Sequence, residues 1–193
     1  MKLDKTFWDT RYQNHETGWD LSGISPPLKA YIDQIKDKTI DILIPGCGNA
    51  YEAEYLLEQG FKSVTLLDIS PSLIQALKKK LGDQSGLKIL EGDFFEHQSS
   101  YDLILEQTFF CALDPSLRPL YVKKMHQLLK TTGKLVGLLF HIEFEQAGPP
   151  FGGHVGEYKN LFETYFDIRT METAYNSVGP RANKETFIIL NKI

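Results

Sequence analysis

The sequence predicts an α/β fold: an open, mainly parallel sheet of seven strands, with helices on both faces and a final antiparallel strand. Three observations predict it. From residue 39 onward, short aliphatic runs alternate with segments of helical period. The runs are nearly continuous rather than alternating in polarity, which suits strands covered on both faces. At the end the alternation stops. Residues 166–172 and 185–190 both read as strands, with only a loop containing Gly179 and Pro180 between them. Two strands joined in that way pair most simply as an antiparallel hairpin.

The elements follow in order. Residues 1–38 precede the sheet and carry SPPLKAYIDQI, which predicts a helix from about Pro26; the segment is expected to cap the sheet's carboxyl edge within one 1–193 domain. The first strand covers 40–44, interrupted only by Asp41. A helix over 51–59 stops at Gly60, a plausible residue just past a helix end. A strand over 63–67 runs into Asp68. Ser70 followed by Pro71 reads as an N-cap with proline in the first turn, opening a helix to about Leu81. Strands follow at 87–90 and 101–105. Asp114–Pro115 repeats the cap-and-proline signal for a helix to about Lys130, ended by Gly133, and 134–140 is the fifth strand. A helix near 157–165 precedes the terminal pair.

Composition excludes several classes. The chain has 193 residues, 42% hydrophobic and 24% charged, ordinary for a soluble globular protein with one sizeable core. The net charge is −4 with no basic block, so no nucleic-acid footprint is expected. No apolar run approaches the ~20 residues of a membrane span, and the N-terminus lacks the apolar core of a signal peptide. Cys47 and Cys111 are expected as free thiols in a reducing cytoplasm, packing as small residues. His141 and His154 with Glu143 and Glu145 match no metal-ligand spacing, so no metal is expected. A monomer or weak homodimer with a small-molecule partner is the expected state.

The stretch ILIPGCGNA, residues 42–50, carries the first functional signal. In an open α/β sheet, ligands bind beyond the carboxyl ends of the strands, and the first strand–helix turn is the usual place. Gly46 and Gly48 sit there, allowing a sharp turn and a close approach without a Cβ. Asp68 ends the next strand, 20 residues beyond Gly48, where a carboxylate can accept hydrogen bonds from ribose hydroxyls. A dinucleotide would need a third glycine, but Tyr51 holds that place, and Glu52 and Glu54 in the first helical turn would repel a phosphate. A ribose-bearing cofactor without phosphate and with a positive charge fits: S-adenosyl-L-methionine. In EGDFF, residues 91–95, an aspartate followed by an aromatic ring stands where the pair can meet an adenine, with Phe94 or Phe95 as plain core the alternative.

The segments FWDTRY, TGWD, PGCGNAYE, LLDIS, GDFF, FFCALDPSLRPLY and GPPF together resemble the thiopurine-methyltransferase superfamily, with the halide/thiol methyltransferase branch as the nearest look. The resemblance runs over nearly the whole chain. It implies a Rossmann-like class I S-adenosyl-L-methionine-dependent methyltransferase. It further implies that Trp8, Tyr12 and Trp19 fold over the cofactor, Tyr12 standing where the family often has tryptophan. Gly46 and Gly48 would meet the methionine end, Asp68 the ribose, and Asp93 and Phe94 the adenine. Glu106 and Gln107 would stand between cofactor and acceptor, and Arg118 would lie close to the acceptor. The halide branch tends to have aspartate then tyrosine at 106 and 107, so Gln107 departs from it and bears on acceptor preference.

A halide, thiocyanate, bisulfide or thiolate arrives as an anion, so in-line methyl transfer to it needs no strong base, and no nucleophile–base triad is legible. The irregular segment HIEFEQAGPPFGGHV, residues 141–155, offers two phenylalanines to close a small apolar pocket, with a histidine role in deprotonation as a lesser reading. The alternatives are a thiopurine-type aromatic thiol as acceptor, a non-catalytic cofactor-binding protein, and an NAD-dependent oxidoreductase.

Overall fold

The computed structural model describes residues 2–193. Seven strands form one sheet: β1 (Ile42–Pro45), β2 (Val64–Asp68), β3 (Leu87–Glu91), β4 (Tyr101–Gln107), β5 (Leu129–Phe140), β6 (Phe166–Thr173) and β7 (Glu185–Lys192). Their spatial order is β3-β2-β1-β4-β5-β7-β6. β1 to β5 pair in parallel. The antiparallel strand is β7, inserted between β5 and β6 and antiparallel to both. The strand order reverses between β1 and β4, which opens a crevice at their carboxyl ends.

Alternate residues of each strand feed two separate cores, as the two-residue period requires. Ile42, Ile44, Leu103 and Leu105 face one side, where α2 (Pro26–Ile32), α3 (Tyr51–Glu58) and α4 (Pro71–Leu81) pack through Leu28, Ile32, Leu56 and Leu77. Leu43 and Ile104 face the other, against α5 (Arg118–Leu128) and α6 (Val155–Phe162) through Tyr121, Met125, Tyr158 and Phe162. No helix among the described residues is long and apolar enough to cross a membrane.

Several boundaries differ from expectation, each for a local reason. The Asp114–Pro115 signal opens only a 3-10 turn, Pro115–Leu117, with Asp114 Oδ1 accepting the Ser116 N–H at 2.9 Å. A second proline, Pro119, sits in the first turn of α5, which begins at Arg118. That helix ends at Leu128 because Leu129 pairs with Tyr101 across the sheet; the register then jumps so that Leu103 meets Lys134. Gly133, expected as a helix terminator, is thus inside β5, where a Cβ would stand 3.0 Å from the carbonyl oxygens of Lys130 and Tyr101. The bulge turns Lys130 outward, and its Nζ reaches Asp41 and Asp102 at 2.7 Å each, at the amino edge of the sheet.

The first 38 residues divide in two. An unanticipated helix, α1 (Lys5–Gln13), lies beside α4 and is tied to its start: Asp9 Oδ1 accepts from Ser70 Oγ at 2.7 Å and from the Ser72 N–H at 2.8 Å. The later helix, α2, belongs to the core and does not cap the rim, since Leu28 and Ile32 are fully buried.

Candidate active site

The carboxyl rim of the sheet opens into a cavity of about 890 Å³. Gly46 of the β1–α3 turn forms part of its floor, and the backbone of that turn is left-handed at Gly46, Gly48 and Ala50, with φ of 56°, 51° and 60°. Gly46 is anchored to β2 by its N–H on the Leu67 carbonyl at 2.8 Å. A Cβ at Gly46 would fall 2.4 Å from the Phe109 ring, so glycine is needed here for space as well as for φ.

Asp68 stands at the end of β2 on the cavity wall. Its Oδ1 accepts the Ser70 N–H at 3.0 Å. Burial pushes its pKa up to about 6, against the backbone N–H groups of Ser70, Gly48 and Ile69, which pull it down. Ser70 also caps α4, as expected, through Oγ on the Leu73 N–H. Asp93 lines the same wall, with Oδ1 on the Phe95 N–H at 2.8 Å. Phe94 lines the cavity and packs into the core at once, its ring 5.1 Å from Phe109 and 5.3 Å from Phe95. Above them, Trp8, Tyr12 and Trp19 meet edge to face, with centroids 5.6 and 5.7 Å apart, and form a roof. Burial raises the Tyr12 hydroxyl well above the usual phenol range, keeping it a neutral polar group.

The far end of the cavity is apolar with a basic rim. Phe140 closes β5, and Phe144, Pro149 and Pro150 come from the irregular segment after it. Phe151 does not line the cavity; its N–H anchors the segment on the Cys111 carbonyl at 2.7 Å. Arg181 and Lys184 complete this end. Arg181 is buried, ion-pairs with Glu185 at 3.2 Å, and donates to the Trp19 carbonyl at 2.6 Å. No pattern in the sequence marked Phe109, Arg181 or Lys184, because each reaches the cavity from a turn whose course only the packed fold sets.

Four residues expected at the site sit elsewhere. Glu106 is wholly buried under α5: Oε1 accepts the N–H groups of Phe109 and Phe110 at 2.8 and 2.9 Å, and Oε2 accepts the Tyr121 hydroxyl at 2.5 Å. It holds Phe109 against Gly46 and does not line the cavity. Burial raises its pKa to about 7 despite those three bonds. Gln107 points to the opposite face, as the next residue of a strand must, and with Gly48 lines a separate small chamber. Arg118 does not line the cavity and is buried. Its guanidinium is buried over the rings of Phe110 and Tyr158, 4.7 and 5.7 Å from their centroids, and donates to the Gly152 carbonyl at 2.7 Å. It therefore clamps the segment that carries Pro149 and Pro150.

The remaining candidates also lie off the cavity or are inert. His141 is bonded to Thr186 Oγ1 at 2.8 Å and to the Asn183 carbonyl at 3.1 Å; His154 pairs with Glu143 at the surface. Cys47 and Cys111 are free and buried, and burial pushes the Cys111 thiol up to about 12, far from a reactive thiolate.

A sheet of this order, with a glycine cradle, a rim carboxylate and an aromatic roof, is a nucleoside-binding arrangement. The model for the family described as Thiopurine S-methyltransferase (TPMT) matches residues 3–190. The chain belongs to the thiopurine S-methyltransferase family. It is 33% identical over 184 residues to "Probable thiol methyltransferase 2" of Arabidopsis thaliana, covering 92% of this chain and 81% of that one. It is 28% identical, over the same shares, to "Thiocyanate methyltransferase 1" of Brassica oleracea. "Thiopurine S-methyltransferase" of Pseudomonas aeruginosa (strain LESB58) is 27% identical over 191 residues, 88% of this chain and 87% of that one. In fold, the chain matches the 1,6-didemethyltoxoflavin-N1-methyltransferase of Burkholderia thailandensis, solved with bound 1,6-didemethyltoxoflavin and S-adenosylhomocysteine. The TM-score is 0.78 at 16% identity, covering 97% of this chain and 86% of that one.

This family member is an S-adenosyl-L-methionine-dependent methyltransferase with a Rossmann-like class I fold. The residues present fit the cofactor. Gly46 lies on the cavity wall with the Phe109 ring packed against the side a Cβ would take, and Asp68 brings a buried carboxylate to the rim. The first turn of α3 carries Glu52 and Glu54, which suit a group without phosphate.

Proposed function

We propose that the enzyme transfers a methyl group to a small soft nucleophile, a thiol, bisulfide, thiocyanate or halide, by in-line displacement. The observation that carries this is the far end of the cavity, where apolar walls from Phe140, Phe144, Pro149 and Pro150 stand next to the Lys184 cation and the Glu185-paired Arg181. Such a pocket draws in an anion and strips its water. The names of the Arabidopsis and Brassica relatives, thiol and thiocyanate methyltransferases, point the same way.

When bound, S-adenosyl-L-methionine supplies an electrophilic methyl carbon on a cationic sulfur. In this reading Asp68 holds the ribose, while Asp93 and Phe94 flank the adenine. Trp8, Tyr12 and Trp19 offer aromatic faces to the sulfonium, each worth roughly 0.5–2 kcal/mol according to desolvation. Phe109 fixes the floor, and Arg181 with Lys184 holds the acceptor anion. The two histidines considered for deprotonation are bonded elsewhere, so an acceptor that is already ionised suits the site.

The cavity's size and its aromatic wall also favour a second reading, an aromatic thiol of the thiopurine type. Both readings are tested by S-adenosylhomocysteine formation with iodide, bisulfide, thiocyanate and thiophenol. Turnover of the inorganic anions supports the small-nucleophile reading. Turnover of thiophenol alone selects the second, and cofactor binding without turnover on any acceptor overturns both.

A further inference from the structure

Helix α1 carries two of the three roof residues, Trp8 and Tyr12, yet none of its nine residues is fully buried. Apolar packing alone therefore holds it weakly. Its ion pair with the end of β3, Lys5 Nζ to Glu91 at 2.5 Å, is solvent-exposed and contributes little. The firm bonds come from Asp9, the residue after Trp8.

Asp9 Oδ1 accepts from Ser70 Oγ at 2.7 Å and from the Ser72 N–H at 2.8 Å, and Oδ2 accepts from the Gln13 amide at 2.7 Å. The Ser72 N–H belongs to the first turn of α4, where such donors have no partner inside the helix. Asp9 supplies that partner from a different helix. Ser70 is wholly buried and is bonded in three directions. Its N–H donates to Asp68 Oδ1 at 3.0 Å, its Oγ accepts the Leu73 N–H at 3.2 Å, and its hydroxyl proton goes to Asp9. One residue thus sets two parts of the site in register: the rim carboxylate, and the helix that carries the aromatic roof above it.

We propose that Asp9 is a positioning residue, which through Ser70 fixes the roof at a set height over Asp68 so that its rings meet the cofactor's sulfonium. Asp9 itself does not line the cavity. The proposal rests on the cofactor assignment above. The chain's two tryptophans, Trp8 and Trp19, both belong to the roof, so intrinsic emission reads the roof directly. In ligand-free Asp9→Ala, emission should shift to the red and acrylamide quenching should rise about twofold. By calorimetry, the same variant should bind S-adenosyl-L-methionine about tenfold more weakly, and S-adenosylhomocysteine about threefold more weakly or less. The roof's attraction acts on the positive charge, which only the first ligand has. Asp9→Asn keeps an oxygen for Ser70 and Ser72, and should return emission to the wild-type value and both dissociation constants to within about twofold. Wild-type emission and affinities in Asp9→Ala would overturn the proposal. So would an equal loss of both ligands, which marks a general loosening of the fold, or a failure of Asp9→Asn to restore the roof. A wild type that binds neither ligand would overturn the cofactor assignment instead, while the ligand-free emission would still decide whether Asp9 holds the roof.

Discussion

A single carboxylate, Asp68, illustrates how position at the rim becomes function. Its pKa of about 6 results from burial, so the ionised form is strained until hydroxyl donors reach it. Cofactor binding favours that ionised form. Affinity should therefore rise as pH increases to about 6 and level off above it, with proton release on binding below that pH, measurable by calorimetry in buffers of different ionisation enthalpy. Asp68→Ala should weaken binding more than tenfold, since a hydrogen bond to a charged group contributes ~1.5–3 kcal/mol; an unchanged dissociation constant would refute the assignment. Glu106 makes a complementary case, with a folded pKa of about 7 raised by burial. A raised carboxyl stabilises the fold below its unfolded value and loses that contribution as pH climbs through the folded one. The melting temperature of the wild type should fall between about pH 5 and pH 8, and Glu106→Gln should flatten that slope, because the amide can keep the bonds to Phe109, Phe110 and Tyr121. Asp68 was legible because the last residue of a strand reaches the rim however the sheet is packed. Glu106 and Gln107 were not, because neighbouring positions go to opposite faces, and which face holds the cavity depends on helices far away in sequence.

Among the elements, α4 was the most legible: Ser70, Pro71 and the apolar period fixed both its ends within the local chain. The limits of α5 and β5 were hidden. Leu129 leaves the helix to satisfy Tyr101, a partner the local sequence does not announce. The clamp between α5 and the segment after β5 was hidden in the same way, since Arg118 acts through carbonyls more than thirty positions later. Arg118→Lys keeps the charge but loses the planar fork and the stacking on Phe110 and Tyr158. Its expected effect is a rise in acceptor KM, about threefold to tenfold, with cofactor affinity within about twofold. Steady-state kinetics with calorimetry distinguishes this from a direct catalytic role, which would lower kcat at saturating acceptor.

Across the whole molecule, the reversal between β1 and β4 creates the crevice, and the chain fills it from both sides. The roof comes from residues before 20 and the basic rim from residues after 179, joined by the Arg181 bond to the Trp19 carbonyl. Arg181→Met should therefore raise acceptor KM and cofactor Kd together, each by about tenfold or more, whereas a residue serving one ligand alone would shift one constant. The alternation of strands and helices was legible, because each βα unit is encoded locally. The meeting of distant segments was not, because it depends on the finished sheet.

That meeting has a temporal side. During synthesis β7 can enter its slot between β5 and β6 only after β6 and the turn that follows it have been made, and the guanidinium at 181 arrives at the same stage. The β1–β4 part of the sheet can pair earlier, with Asp9 tying α1 to Ser70 and Ser72, but the Trp19 carbonyl has no Arg181 donor until then. The wall of the hollow is thus assembled from both halves of the chain, and the contact that joins them is the last in sequence order.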